Sequence, residues 1–426
     1  MQRKFFGWWI TAAAFVTFGL AVGIPYYNIG FFYDYFQREF QWSRADITLG
    51  FPLAAALTIW FGPVVIHRFR PRKLILVGTV LTSIALAGFS HMGGALAVYY
   101  GFWVVYTLGY ILSGPIPHQI IMSHWFRKKR GMAMGIVYVG VGLVGALGAK
   151  LVKPLTEGMG FRSALLVIGL IMFVAWPLAF FIERDKPSEM GQFPDGDDVA
   201  PAENKIEARS IGYLCSQWTF WMLLIGSLCS IGAIGAVNFH MKLVFQDAFR
   251  QAGIEGGSAQ SRLNTLWSDA QFGILCSSIA GRLLIGRLAD MFPMKYVMTV
   301  TYFIVAGAIP LLLHVTPDSN PYVFAIVFGF AMGADYMLIP LMAAKQFGVN
   351  SLARAMAVIL PVNTIGQTWV PYGVAWLREH FGSYGTAMSA VLGLAIVGAM
   401  AIAVLPKSGA EDTTTPTPAA PQASRA

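Results

Sequence analysis

The chain has 426 residues, of which 56% are hydrophobic and only 12% charged, about half the charged quarter of an ordinary soluble protein. So few charges cannot cover soluble domains of this length, and a mean hydropathy of +0.60 also excludes a disordered, collagen-like or disulfide-scaffold chain. The net charge of +9 would suggest nucleic acid in a soluble protein, but in a lipid-solvated one it is the bias of basic residues toward cytoplasmic loops.

A bilayer core takes about 20 apolar residues per helix. That measure predicts twelve spans, at 5–33, 45–66, 73–92, 97–124, 131–153, 162–182, 218–245, 266–290, 295–315, 321–344, 353–377 and 384–405. The first is longer than a signal-peptide core of about 7–15 residues, so it is read as a span. The second carries Pro52 and Pro63 and the eleventh Pro361 and Pro371; such prolines are tolerated where neighbouring helices satisfy the freed carbonyls. In the fourth, Pro115 and Pro117 precede His118 and Gln119 and predict a kink whose free carbonyls line a cavity. The fifth carries a stripe of Gly131, Gly135, Gly140, Gly142, Gly145 and Gly148, small residues that let helices approach and slide.

An even number of spans puts both termini on one side. Most of the 30 Lys and Arg, including the loops Arg68–Lys73 and Arg127–Arg130, fall on that side, which is therefore expected to be cytoplasmic. The resulting organisation is an all-α membrane protein of twelve transmembrane helices in two pseudo-symmetric six-helix halves, 1–182 and 212–406, joined by a polar cytoplasmic linker at 183–211 and followed by a disordered tail at 407–426. Arg130-Gly131-Met132-Ala133-Met134 is echoed by Arg354-Ala355-Met356-Ala357-Val358, and the 67–76 loop by 289–298 at nearly the same offset. A weak repeat of half the chain marks many secondary transporters.

Polar groups inside spans are costly, so each is a candidate site. Arg282, deep in the eighth span, presents a planar fork that matches a carboxylate through two hydrogen bonds. Asp335 lies at similar depth in the tenth span and is either its resting ion-pair partner or a proton-coupling carboxylate. Asn238, His240 and Lys242 in the seventh span spread over more than one helix face. Tyr26, Tyr27 and Asn28 follow Pro25 in the first span, and Asn363 and Gln367 share a face of the eleventh. Cys215, Cys229 and Cys276 have no metal-ligand spacing and read as packing residues. No metal, cofactor or catalytic motif is expected, which argues against an enzyme.

Gly286, Leu288 and Asp290 before the turn at Pro293 resemble the cytoplasmic signature of the major facilitator superfamily. The first-half copy is degenerate, with His67 and Arg70 where Asp and Gly are usual. Gly7-Trp8 with Gly19 and Pro25, Trp125-Phe126 followed by Arg127 to Gly131, and Arg282 four residues before Gly286 resemble the monocarboxylate transporters and their bacterial oxalate/formate-exchanger relatives over residues 5–405. The resemblance implies that Arg282 binds the substrate carboxylate, that His240 is a substrate contact, and that Arg130, Gly286 and Asp290 serve the conformational change. Tyr26, Asn363 and Ser278 stand where relatives have a span-one lysine, a second cation and an aspartate, so neither the two-cation site nor the lysine–aspartate relay carries over. The expectation is a monomeric secondary transporter in the bacterial inner membrane. Its partners are the lipid bilayer, a small organic anion and either protons or a counter-anion, with substrate contacts from Arg282, His240, Tyr26, Tyr27, Asn28, His118, Gln119, Asn363 and Gln367. An exporter of drugs or amphipathic metabolites is the alternative.

Overall fold

The computed structural model describes residues 5–58, 60–197, 208–254 and 257–407; the predicted tail and the middle of the linker lie outside the described residues. In lipid every backbone N–H and C=O must be paired internally, which selects helices. The described residues are almost entirely helical, and nine helical stretches among them are long and apolar enough to cross a bilayer.

We label the helices in chain order. α1 (7–28) opens as a regular helix, passes through a π-helical turn at Gly19–Gly23 and resumes at Ile24–Asn28. α2 is in three pieces, Arg44–Thr48, Gly50–Thr58 and Phe61–Val65. Then come α3 (Pro71–His91) and α4 (Leu96–Trp125). α4 breaks at Gly114 (ψ −141°), because a residue before proline is pushed out of helical geometry. α5 (130–159) and α6 (161–182) form one run that breaks at Gly160, where φ is 80° and ψ 158°, a conformation open essentially to glycine alone, and that tightens to a 3-10 turn at Met172–Val174 and widens to a π-helical turn at Leu178–Ile182. The loop expected between spans five and six is thus a single residue.

The second half comprises α7 (Trp218–Gln251), α8 (Gly257–Met291), α9 (Met294–Leu313), α10 (Tyr322–Phe347), α11 (Val349–Phe381) and α12 (Tyr384–Val404). Gly348 (φ 82°, ψ 153°) repeats the one-residue junction between α10 and α11. The division of the 130–182 run, together with α2 and α11, makes these helices consistent with twelve spans. α2, which carries Pro52 and Pro63, and α11, which carries Pro361 and Pro371, are absent from the nine apolar stretches.

Each half has its own apolar cluster, and a third, containing Tyr138, Ile285, Met337 and Ile359, spans both. Large side chains such as Leu57, Trp60, Phe181 and Trp369 are left exposed, which a chain solvated by lipid tolerates. Cys229 is buried, but Cys276 is exposed rather than packed inside.

The start of the linker is ordered on the first half. Asp185 accepts the Arg72 N–H at 2.8 Å, Trp125 Nε1 donates to the Arg184 carbonyl at 2.7 Å, and Asp195 accepts from the N–H groups of Arg127 and Lys128 at 2.9 and 2.7 Å. At the other end, Arg354 donates to the carbonyls of Ala208 and Arg209, which fixes that end to α11. Asp185 thus satisfies an orphan N–H at the start of α3, and Asp195 binds the loop amides just before α5.

Candidate transport site

The two halves meet most closely where α5 crosses α8. A Cβ added to Gly131 would sit 2.2 Å from the Gly286 carbonyl oxygen, and one added to Gly135 would sit 2.4 Å from that of Arg282. Gly140 and Gly148, on the other side of α5, face Phe15, Asn28 and Ile24 of α1 instead. The glycine stripe is therefore two contact surfaces: one against its own half, one across the seam.

Arg282 lies on that seam. It is nine residues from Met291, the end of α8, and so about 13 Å along the axis, near the middle of a core about 30 Å thick. Its Nε donates to the Gly333 carbonyl of α10 at 3.2 Å. A Cβ on Gly142 would stand 2.5 Å from its Nη1. α10 can come this near because Gly329 and Gly333 bring it into backbone contact with α8, the small-xxx-small spacing of membrane helix pairs. Sequence reading passed over this pair, although Gly329-Phe330-Ala331-Met332-Gly333 spells it out. Gly142→Ala meets only the far end of a flexible side chain. It is therefore expected to leave thermal unfolding near that of the wild type while displacing the guanidinium and weakening anion binding several-fold. Unchanged affinity in a binding titration would show that the guanidinium position is irrelevant.

Asp335 does not pair with Arg282 in this conformation. It is fully buried, its Oδ2 accepts from Ser230 Oγ of α7 at 3.0 Å, and Tyr302 of α9 is its neighbour. The reason is helical phase. Arg282 sits on the Gly333 side of α10, and residues two apart on a helix point to different faces. Depth along the axis matched the two groups; rotation about it separates them.

The span-seven cluster disperses as its spacing implies. Asn238 Nδ2 donates to Met332 Sδ at 3.5 Å, Lys242 Nζ lies 5.1 Å over the Trp267 ring, and His240 turns to α11 and α12. His240 Nε2 is 2.9 Å from the Pro371 carbonyl and Nδ1 3.3 Å from Tyr384 Oη, so both ring nitrogens already have protein partners. Asn28 donates to the carbonyls of Ile24 and Gly145, tying α1 to α5. The Tyr27 side chain lies outside the described residues. Tyr26 stacks on Tyr110 with centroids 5.7 Å apart and meets Phe51 edge-on at 5.6 Å.

At the α4 break, His118 Nδ1 is 2.8 Å from the Gly114 carbonyl, and Nε2 is 3.0 Å from Thr17 Oγ1. The carbonyl expected to line a cavity is thus taken by the histidine. Gln119 Nε2 donates to Tyr138 Oη at 2.6 Å. Asn363 Oδ1 accepts from Ser227 at 3.1 Å, and Gln367 Oε1 accepts from Tyr336 at 2.8 Å. Gln119 Oε1 and Asn363 Nδ2 are buried with no hydrogen-bond partner among the described residues, which leaves these two amides with unused capacity.

Where α8 ends, Asp290 accepts from the N–H groups of Gly131 and Met132 at 2.6 and 2.9 Å. A carboxylate of one half thus caps the helix start of the other, with the favourable sign for the helix dipole. Gly286 supplies the close approach, and Arg130 Nε donates to the Phe126 carbonyl at 3.1 Å. The degenerate first-half loop, with His67, offers no equivalent carboxylate, and the first turns of α11 bind the linker through Ser351 and Arg354.

Paired helical halves joined at one end by a carboxylate cap, with a cation at mid-membrane depth on their seam, describe a membrane transporter rather than an enzyme. The chain belongs to the Major Facilitator Superfamily, whose family model matches residues 13–371. It is similar to human monocarboxylate transporter 11, with 23% identity over 410 residues that cover 94% of this chain and 83% of the relative. It is also similar to the fujikurins efflux protein of Gibberella fujikuroi, with 24% identity and coverage of 83% and 72%. Among solved structures, the human organic anion transporter MFSD10 superposes with a TM-score of 0.68 at 11% identity, covering 93% of this chain and 99% of that one; that likeness speaks for the fold alone.

Proposed function

We propose that this transporter moves a small organic monocarboxylate across the cytoplasmic membrane by alternating access, in proton symport or anion exchange. Both termini are cytoplasmic on the charge bias of the loops. The observation that carries the reading is the placement of Arg282 at the seam, beside glycines that leave room for its guanidinium. A cation held at mid-membrane depth between two moving halves is where an anionic cargo gains most from binding. Monocarboxylate transporters among its relatives support the same cargo class. Gln119 and Asn363 would hydrogen-bond the body of the substrate, and Tyr26 with Tyr110 and Phe51 would give it an aromatic wall. Asp335 is the carboxylate assigned to coupling. His240, with both nitrogens engaged, would contact substrate only after giving up one of them.

The test is thermal unfolding of the purified protein against a panel of carboxylates, in the wild type and in Arg282→Lys. Loss of the bidentate fork should cost about 1.5–3 kcal/mol, roughly ten- to hundredfold in affinity. Anions that stabilise both proteins equally refute the carboxylate clamp. Transport of uncharged amphipathic compounds surviving Arg282→Ala would favour efflux, the reading that the fungal relative supports. Proton flux on adding substrate to liposomes separates symport from exchange.

A further inference from the structure

The first half contains a buried titratable cluster that the carboxylate site does not use. Glu183, immediately after α6, is fully buried, as are Thr17 of α1 and His118 of α4. Thr17 Oγ1 lies 2.6 Å from Glu183 Oε1 and 3.0 Å from His118 Nε2. His118 Nδ1 faces a carbonyl, Gly114, at 2.8 Å, so Nδ1 carries hydrogen in either charge state.

The protons can then be counted. Thr17 Oγ1 also lies 3.5 Å from the Ala14 carbonyl one turn back, too far to hold the hydroxyl hydrogen against the two shorter contacts; each of those two needs one hydrogen, but a hydroxyl owns only one. The second must come from Glu183 as a carboxylic acid or from His118 Nε2 as an imidazolium. In the first arrangement the acid donates to Thr17, and Thr17 donates to a neutral His118. In the second, the imidazolium donates to Thr17, and Thr17 donates to a carboxylate. The two differ by a concerted shift of hydrogens along the chain, and both leave the cluster without net charge. With that proton removed, two lone pairs face each other across one of the contacts, between buried groups.

We propose that Glu183, Thr17 and His118 form a one-proton relay, a proton-binding site in the first half that links the end of α6 to the interiors of α1 and α4. Glu183 Oε2, buried with no hydrogen-bond partner among the described residues, makes the ionised form costly. The charged groups facing the carboxyl are Arg72 of α3 and Asp185 of the linker, with His118 from α4 and the Thr17 hydroxyl from α1. Burial is the largest influence and pushes Glu183 up from 4.5 to about 7. The site adjoins two structures that matter for movement. Thr17 is two residues before the π-helical turn of α1, and Glu183 begins the linker segment docked on α3 and α5. The relay stands apart from Arg282, so it holds or fails independently of the carboxylate reading.

The experiment is an infrared pH titration of the full-length protein in lipid vesicles, read at the carboxylic-acid carbonyl stretch. The wild type should show an acid component below neutral pH that is lost in Glu183→Gln. That variant should fold normally, because its amide N–H donates to Thr17 as the acid does. Thr17→Val, which keeps both end groups, should move the midpoint of this component by at least about one pH unit, and Thr17→Ser should restore it. Because the folded-state value is raised, the stabilisation is whole below the ordinary carboxylate range and is lost as pH climbs toward about 7. The melting temperature of the wild type relative to Glu183→Gln should decline across that window. Burial disfavours the charge-separated arrangement, so the shared proton rests on Glu183, and a Glu183 component that is missing at every pH, or that is unmoved in Thr17→Val, overturns the relay.

Discussion

Gly333→Leu is expected to destabilise the protein by on the order of 3 kcal/mol, the upper end of overpacking costs, and to abolish anion binding with it. A Cβ at Gly333 would already lie 2.3 Å from the Ser278 carbonyl oxygen and one at Gly329 2.5 Å from that of Ile274. The obstacle in each case is main chain, which cannot rotate aside as a side chain can. α10 must then move off α8, taking with it the carbonyl that holds Arg282. Gly393→Leu on α12 is the control, since nothing lies within 4 Å of a Cβ there and a change of this kind should stay within about 0.5 kcal/mol. Thermal unfolding of the two variants checks this; similar losses at both positions would mean that glycine content in general, not the α8–α10 contact, governs stability.

The second large effect is expected from Asp290→Ala. Its carboxylate makes the two short bonds that cap α5 from the opposite half. Hydrogen bonds to charged groups contribute about 1.5–3 kcal/mol, and a lost cap about 0.5–2 kcal/mol. A net loss near 2 kcal/mol moves the balance between closed and open forms by roughly thirtyfold. A cysteine placed at Ala357, which is buried where α11 meets α2, should then react with an impermeant maleimide about that much faster, in a background without Cys215, Cys229 and Cys276. Asp290→Asn retains one acceptor and should fall between. Labelling that does not change in Asp290→Ala would show that the cap does not hold the halves together.

Much of this was readable from the sequence because membranes penalise exceptions so heavily. Apolar length located the spans, and the kink in α4 followed from Pro115 and Pro117. Arg282 announced itself by its cost. What hydropathy could not give was rotation. Asp335 matches Arg282 in depth, and only the phase of α10 reveals that it turns to Ser230 and Tyr302. The same limit hid Gly329 and Gly333, which look like ordinary small residues until a second helix is laid against them. The anchoring of the linker's ends was hidden for a different reason. The linker reading did not single out Asp185 or Asp195, because their partners are backbone N–H groups, which a side-chain alphabet does not display. Glu183, one residue past an apolar span, was counted with that linker although it is sealed inside the bundle.

The one-residue junctions at Gly160 and Gly348 have a mechanical corollary. A connection with no slack lets neither helix slide or turn without the other, so α5 is geared to α6 and α11 to α10. α5 receives the Asp290 cap, and α11 packs against α2 and α4 of the opposite half. Their geared mates lead to Glu183 in one case and carry Asp335 in the other. Displacement at the boundary between the halves is thereby delivered to two buried carboxyl groups that touch neither each other nor Arg282.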